Sequence, residues 1–345
     1  MKLSRFAMSV TPYEAGEQPK GKRFVKLNTN ENPYPPAPEC AMALKAFDAD
    51  RLKLYPGIAA TELREAIAEK EGVDADCVFI GNGSDEVLSL AFRALFDPHG
   101  EPVVFPSVTY SFYPVFCAMY GINTETVENE ADFTVAVEKL TCGQGVVLAN
   151  PNAPTSLSVD VKDIELLLSR MGERPVVVDE AYIDFARRTQ TAVPLLRRYD
   201  NLVVVKTFSK SYSLAGIRCG YMIARPETVA ALERVRDCFN SYPVDSVCQA
   251  VCTAAIKARD YHEASVQKII ETRDRAMKIL RTAGYEVLDS DTNFLLVSGG
   301  ESDYLKLKER GVLVRWFSAE RVRGYTRVTV GSDEETDVYL RALLK

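Results

Sequence analysis

A chain of 345 residues, 47% hydrophobic and 26% charged, has enough apolar material for a large core and a second domain. Its net charge of −6 and pI near 5.3 exclude the broad basic field that nucleic acid requires, while leaving room for a local basic patch around a small anion. Eight cysteines without a CxxC pair exclude a disulfide framework, and two histidines, His99 and His262, argue against a zinc centre or a histidine-based triad, so no metal is expected. The amino terminus MKLSRFAMSV lacks the apolar core of a signal peptide, and no run approaches the ~18 apolar residues of a membrane span; the expected location is the cytoplasm.

In chain order, residues 1–50 read as an arm, with the proline-rich LNTNENPYPP at Leu27–Pro36 extended and Asn30 and Asn32 as turn-formers or ligands. Tyr55-Pro56-Gly57 marks a turn, and from about residue 54 to 245 apolar strands alternate with amphipathic helices, the pattern of a doubly wound, mostly parallel sheet. Cys77–Ile80 is a short strand, Gly81 and Gly83 make a tight turn, and SDEVLSLAFRALF opens a helix whose first amides, at Ser84 and Asp85, suit an anion. A dinucleotide fingerprint would need a third glycine where Glu86 stands. Tyr110, within SVTYSFYPVF, reads as core or as a stacking platform.

Three buried strands then deliver polar residues from one end: GVVLANPN at Gly145–Asn152, RPVVVDEAY at Arg174–Tyr182 and NLVVVK at Asn201–Lys206. Asp179, at a carboxyl end, suits either a helix cap or a buried counter-charge, and Tyr182 follows three residues later. Beyond the third strand, TFSKSYSLAGIR sets Lys210 among hydroxyls, with Ser209 beside it and Arg218 eight residues on as natural phosphate ligands. A lysine able to form a Schiff base beside a phosphate cradle, with a carboxylate for a ring nitrogen, points to pyridoxal phosphate.

After the proline turn FNSYPVD at Phe239–Asp245, one long helical region runs to Gly284, with Cys248 and Cys252 as buried thiols. The remainder reads strand, strand, helix, strand, strand, helix: YEVLDS, TNFLLVS, SDYLKLKER, GVLVRWF, TRVTVG and DEETDVYLRALL. Arg327 alternates with Val328 and Val330 on a half-buried strand, either exposed or aimed at an anion, and Ser332 with Glu335 forms a capping box. The expected division is an arm at 1–50, a cofactor domain at 51–245 and a smaller α/β domain at 246–345.

These segments together resemble the fold type I pyridoxal-phosphate aminotransferases, and within them the histidinol-phosphate aminotransferase family, over nearly the whole chain. The motifs that carry it are TPYEAG at Tyr13, LNTNENPYPP, Tyr55-Pro56-Gly57 with LREAIAE, GNGSDE at Gly81–Glu86, Tyr110, Asp179, Tyr182, SKSYSLAGIR and Arg327 in TRVTVG. The resemblance implies that Lys210 bonds the cofactor covalently, Asp179 pairs with its ring nitrogen, Tyr182 bonds its ring oxygen and Tyr110 stacks on its face. Ser84, Asp85, Thr207, Ser209 and Arg218 would hold its phosphate, with Tyr55 reaching the neighbouring subunit's cofactor in an obligate homodimer. Arg327, with Tyr13, Asn30 and Arg315, would hold the substrate. One departure is Ala153, with Ser156 for glycine, where the family has Asn before Pro-Thr-Gly; either Asn152 supplies that bond or it is missing. The implied reaction is transamination of L-histidinol phosphate with 2-oxoglutarate; an aromatic amino-acid aminotransferase or a related decarboxylase would keep most of these residues.

Overall fold

The VVVD and LVVVKT segments are apolar at every position, so they form stable strands only where both faces of a sheet are covered. The computed structural model, which describes residues 1, 3–12, 16–18 and 24–345, has that arrangement. In chain order its strands are β1 (Val25–Lys26), β2 (Val78–Gly81), β3 (Val103–Pro106), β4 (Thr124–Val127), β5 (Gly145–Ala149), β6 (Val176–Asp179), β7 (Leu202–Thr207), β8 (Gly220–Ile223), β9 (Phe294–Ser298), β10 (Val312–Leu313), β11 (Arg315–Trp316) and β12 (Tyr325–Thr329). A seven-stranded sheet runs in the order β2-β8-β7-β6-β5-β3-β4; β8 alone is antiparallel to its neighbours.

The period of two along each strand divides the core between two faces. Val146, Leu148, Val176, Val178, Leu202 and Val204 point to one side, packing with Ile164, Leu167 and Leu168 of the helix Val161–Met171. Val147, Val177, Val203 and Val205 point to the other, against Val87, Leu88, Ala91 and Phe92 of the helix Gly83–Leu95. Each such fully buried side chain contributes about 1.5 to 3 kcal/mol of transfer free energy. Parallel register brings Ala149, Asp179 and Val205 level with one another, so the carboxyl ends of β5, β6 and β7 finish at one rim.

The arm is pinned to the other end of the chain. β1 pairs in parallel with β10, Leu27 N–H bonds Leu313 O at 2.8 Å, and Thr329 N–H bonds Leu27 O at 2.9 Å. The segment after Leu27 is therefore held against β12, of the three-stranded sheet β11-β12-β9, as it passes over the rim.

Three details differ from the sequence reading. The long helical region is two helices, Ser246–Lys257 and Arg259–Thr282, broken at Ala258, whose ψ of 55° leaves the helical range although no glycine or proline announces it. Val251, Cys252, Ala255 and Ile256 of the first pack into the large-sheet core, and Ala276 and Leu280 of the second pack with Val297, Val328 and Leu340. YEVLDS makes only a bridge from Val287 to Val297, and Arg281 takes the Val287 carbonyl through Nε at 3.1 Å and Nη2 at 2.7 Å. GVLVRWF splits at Val314 into β10 and β11, one paired with the arm and the other with β12. The capping box at Ser332 and Glu335 is present.

Candidate active site

The rim opens into a cleft of about 130 Å³ between the ends of β5 and β6, the arm, and β11 and β12. Asp179 closes its floor. This side chain is buried, and its Oδ2 accepts from Tyr113 Oη at 2.9 Å while Oδ1 accepts from Ala181 N–H at 3.2 Å. Burial pushes its carboxyl up to about 6, and the bonds from Tyr113 and Ala181 oppose that rise. A carboxylate held at such cost in a cleft marks a functional position and favours a cationic or N–H-bearing ligand above it.

Lys210 lies three residues past the end of β7, half-buried on the cleft wall, with Nζ 3.4 Å from Thr29 O and 5.7 Å from the centre of the Tyr182 ring. Its loop is tied on both sides: Ser211 Oγ donates to Asp184 Oδ2 at 2.5 Å, and Asn32 Nδ2 donates to Ser211 O at 3.1 Å. Tyr182 Oη accepts from Asn30 Nδ2 at 2.9 Å. Asn30 is fixed in turn, since its N–H bonds Thr329 Oγ1 at 2.9 Å and its carbonyl accepts from Asn293 Nδ2 at 3.0 Å. The arm therefore sets the orientation of a tyrosine 152 residues away.

The opposite wall begins at the turn into the helix Gly83–Leu95, whose first-turn amides have no carbonyl partner within the helix. Gly83 sits at φ 82°, and a Cβ there would lie 2.6 Å from Arg218 Nη2; a Cβ on Gly220 would lie 2.4 Å from the Ser84 nitrogen. Only glycines let these backbones and the guanidinium crowd together. Arg218 is itself left-handed at φ 57°, and its Nη2 meets Asp85 Oδ2 at 3.3 Å, while Asp85 Oδ1 accepts from Tyr110 Oη at 2.9 Å. Tyr110 and Ser84 line the cleft; Thr207 and Ser209 lie behind, bonded through Thr207 Oγ1 and Ser209 N–H at 3.1 Å.

Two arginines form the outer end. Arg315 and Arg327 are directly opposed on β11 and β12, both line the cleft, and Arg327 Nη2 donates to Asn28 O at 3.2 Å. Like charges facing across a ladder repel, and a bound anion between them removes that repulsion.

Other expected residues stand elsewhere. Asn152 is buried with its amide committed, Oδ1 to Thr109 Oγ1 at 2.8 Å and Nδ2 to Val108 O at 2.9 Å and Thr155 Oγ1 at 2.8 Å, so it does not line the cleft; Ala153 does. The Asn152 amide is thus bonded within the protein, while Asn30, which does line the cleft, bonds Tyr182. Tyr55 is 82% exposed, stacked on Tyr242 at 4.6 Å and outside the cleft, whereas Tyr13 lies outside the described residues. Tyr113 is the principal residue the sequence does not single out; its run of aromatics holds two tyrosines and two phenylalanines, Tyr110, Phe112, Tyr113 and Phe116.

A doubly wound sheet with a lysine, a buried carboxylate and an amide-rich turn converging at one rim defines the fold type I pyridoxal-phosphate enzymes. Residues 22–343 match the class I and II aminotransferase family. The histidinol-phosphate aminotransferase of Chromohalobacter salexigens is 45% identical over 97% of this chain and 95% of its own, and that of Pseudomonas putida 44% identical over 99% and 98%. Among solved structures, the histidinol-phosphate aminotransferase of Sinorhizobium meliloti in complex with pyridoxal-5'-phosphate superposes with a TM-score of 0.90 at 26% identity, covering 99% of this chain and 96% of that one. A Thermus thermophilus aspartate aminotransferase shares the fold, with a TM-score of 0.84 at 21% identity. The chain belongs to the class I and II aminotransferases, in the histidinol-phosphate aminotransferase family.

Proposed function

We propose that this chain moves the amino group of L-histidinol phosphate to 2-oxoglutarate, a step of histidine biosynthesis, with pyridoxal phosphate held in the Lys210–Asp179 cleft. The observation that carries the choice of donor is the opposed pair Arg315 and Arg327 at the outer end of that cleft. The cleft fits the cofactor on its own chemistry: a buried carboxylate raised to about 6 in the floor, an anion-binding helix start on one wall and an amine on the other.

When bound, pyridoxal phosphate supplies a reactive carbonyl and a ring that accepts electrons from the donor's α-carbon. Lys210 Nζ would hold that carbonyl, and as a free amine the same atom would move the α-proton. The Asp179 carboxylate holds a proton on the ring nitrogen. Tyr182 Oη, oriented by Asn30, would donate to the ring oxygen, and Tyr110, which lines the cleft, would lie against the ring. The amides of Ser84 and Asp85, with Ser209 and Arg218, hold the cofactor phosphate, and Arg315 and Arg327 hold the donor's distal phosphate. An exposed Tyr55 stacked on Tyr242 fits a role across a homodimer interface, at the partner's cofactor phosphate.

The test is a donor panel with 2-oxoglutarate as acceptor. Histidinol phosphate should give the largest specificity constant, with glutamate formed in equal amount; a preference for tyrosine or phenylalanine would replace this reading with an aromatic aminotransferase.

A further inference from the structure

Three cysteines that play no part in this chemistry meet inside the large-sheet core. Cys219 leads into β8, while Cys248 and Cys252 stand one turn apart on the helix Ser246–Lys257; all three are buried. Their sulfurs lie within 4.8 Å of one another, and Cys248 Sγ is 4.0 Å from Cys252 Sγ. Three sulfurs arranged in a plane at ~2.3 Å from one ion stand about 4.0 Å apart, so the set is already close to coordinating distance.

The scaffold on both sides is rigid. β8 is an interior strand between β2 and β7, and Asp245 caps the helix by accepting from the N–H groups of Val247 at 2.9 Å and Cys248 at 2.8 Å. The i, i+4 spacing puts both helical sulfurs on one face, toward Cys219. Among the described residues the cluster holds sulfur alone, with no carboxylate or imidazole, which favours a soft ion over zinc with a fourth ligand or any hard cation. Its surroundings are apolar, in one cluster with Phe208, Tyr221, Val244 and Val251. The thiolate is the ligand form, so binding releases thiol protons, and a monovalent ion offsets the charge of one of the thiolates formed.

We propose that Cys219, Cys248 and Cys252 form a three-sulfur binding site for a soft monovalent cation, copper(I) being the biological member of that class. The cofactor-loaded protein, in a Cys238→Ser background that removes the exposed thiol, is titrated anaerobically with copper(I) against a colorimetric copper(I) chelator. The expected result is one ion retained per chain, with X-ray absorption showing three sulfurs at about 2.3 Å. Cys219→Ser, Cys248→Ser and Cys252→Ser should each weaken binding by more than about tenfold, since even an outer-shell partner is commonly worth that much, whereas Cys40→Ser should leave it unchanged. If a cluster variant fails to fold, alkylation mapping of the Cys238→Ser protein decides: copper(I) should slow labelling of Cys219, Cys248 and Cys252 together and leave Cys40 and Cys77 unaffected. Copper(I) affinity indifferent to the cluster variants, labelling indifferent to copper(I), or isolation of the protein with two of these sulfurs joined as a disulfide overturns the proposal.

Discussion

The two ends of the cleft are built differently. The inner end is made by strand termini: Asp179 closes β6, Lys210 follows β7 and Ser84 follows β2, all fixed by one sheet whose strands are apolar on both faces. The outer end is assembled from segments that meet only in the folded chain, with Asn28–Asn30 from the arm against Arg315 and Arg327 from the far terminus. One sheet fixes the inner end, and the outer arginines stand on separate strands, although the same arm also reaches inward to orient Tyr182 through Asn30.

Substitutions at the inner end should therefore abolish turnover with every donor, and those at the outer end should discriminate among donors. The largest effect belongs to Lys210→Ala, expected to lose turnover by roughly 10⁴ or more and to lose covalent attachment of the cofactor, read by borohydride reduction and peptide mapping. A reduced adduct on another lysine would break the assignment. Next is Asp179→Asn, which should cost roughly 10² to 10³ in rate because the ring nitrogen is no longer held protonated.

The same variant has an opposite effect on the cofactor-free fold. Burial raises the Asp179 carboxyl from 3.8 to about 6, so the folded chain is penalised for ionising it, by on the order of 3 kcal/mol, at pH values above about 6. The penalty fades as pH falls from 6 toward 4, where both folded and unfolded states take up the proton. Cofactor-free Asp179→Asn should thus melt higher than wild type at about pH 8, with the difference shrinking to nothing near pH 4. Equal melting at both pH values would show that the carboxylate carries no such penalty.

A smaller effect is expected from Tyr113→Phe, which deletes a hydrogen bond that holds Asp179 as carboxylate. The acid limb of cofactor binding should move up by about one pH unit, with a loss of about twofold at neutral pH that grows to roughly tenfold below pH 6. An unmoved limb would make Tyr113 a packing residue only. The smallest expected effect is the partial recovery from mixing Tyr55→Phe with Lys210→Ala subunits, which leaves one intact site per heterodimer if Tyr55 acts on the partner's cofactor. No recovery in verified heterodimers places Tyr55 outside that site.

The contrast between the ends also explains what the sequence revealed. Apolar runs ending in a polar residue expose Asp179 and Lys210, since a strand buried on both faces has one reason to end in charge. The glycine turn at Gly81–Gly83 is legible for a similar local reason, the need for close backbone approach. Asn30 and Tyr182 are 152 positions apart, and their hydrogen bond depends on β1 finding β10, a pairing of two residues on each side that no periodicity announces. Tyr113 is hidden among equivalent aromatics, and no sequence pattern shows Thr109, Val108 and Thr155 engaging the Asn152 amide. Arg315 and Arg327 were legible only through resemblance, as alternation on a strand does not reveal which cation faces a substrate.

The central claim is that the outer arginine pair reads the donor's phosphate, and the most direct measurement compares histidinol phosphate with histidinol, which differ only in that group. Charge-assisted bonds from one guanidinium contribute about 1.5 to 3 kcal/mol each, so wild type should prefer the phosphorylated donor strongly, and Arg327→Ala should lose roughly tenfold to a hundredfold of kcat/KM for it at one fixed salt concentration. The value for histidinol should change little. An equal loss for both donors, or no preference in wild type, would contradict the assignment of Arg327 to the donor phosphate.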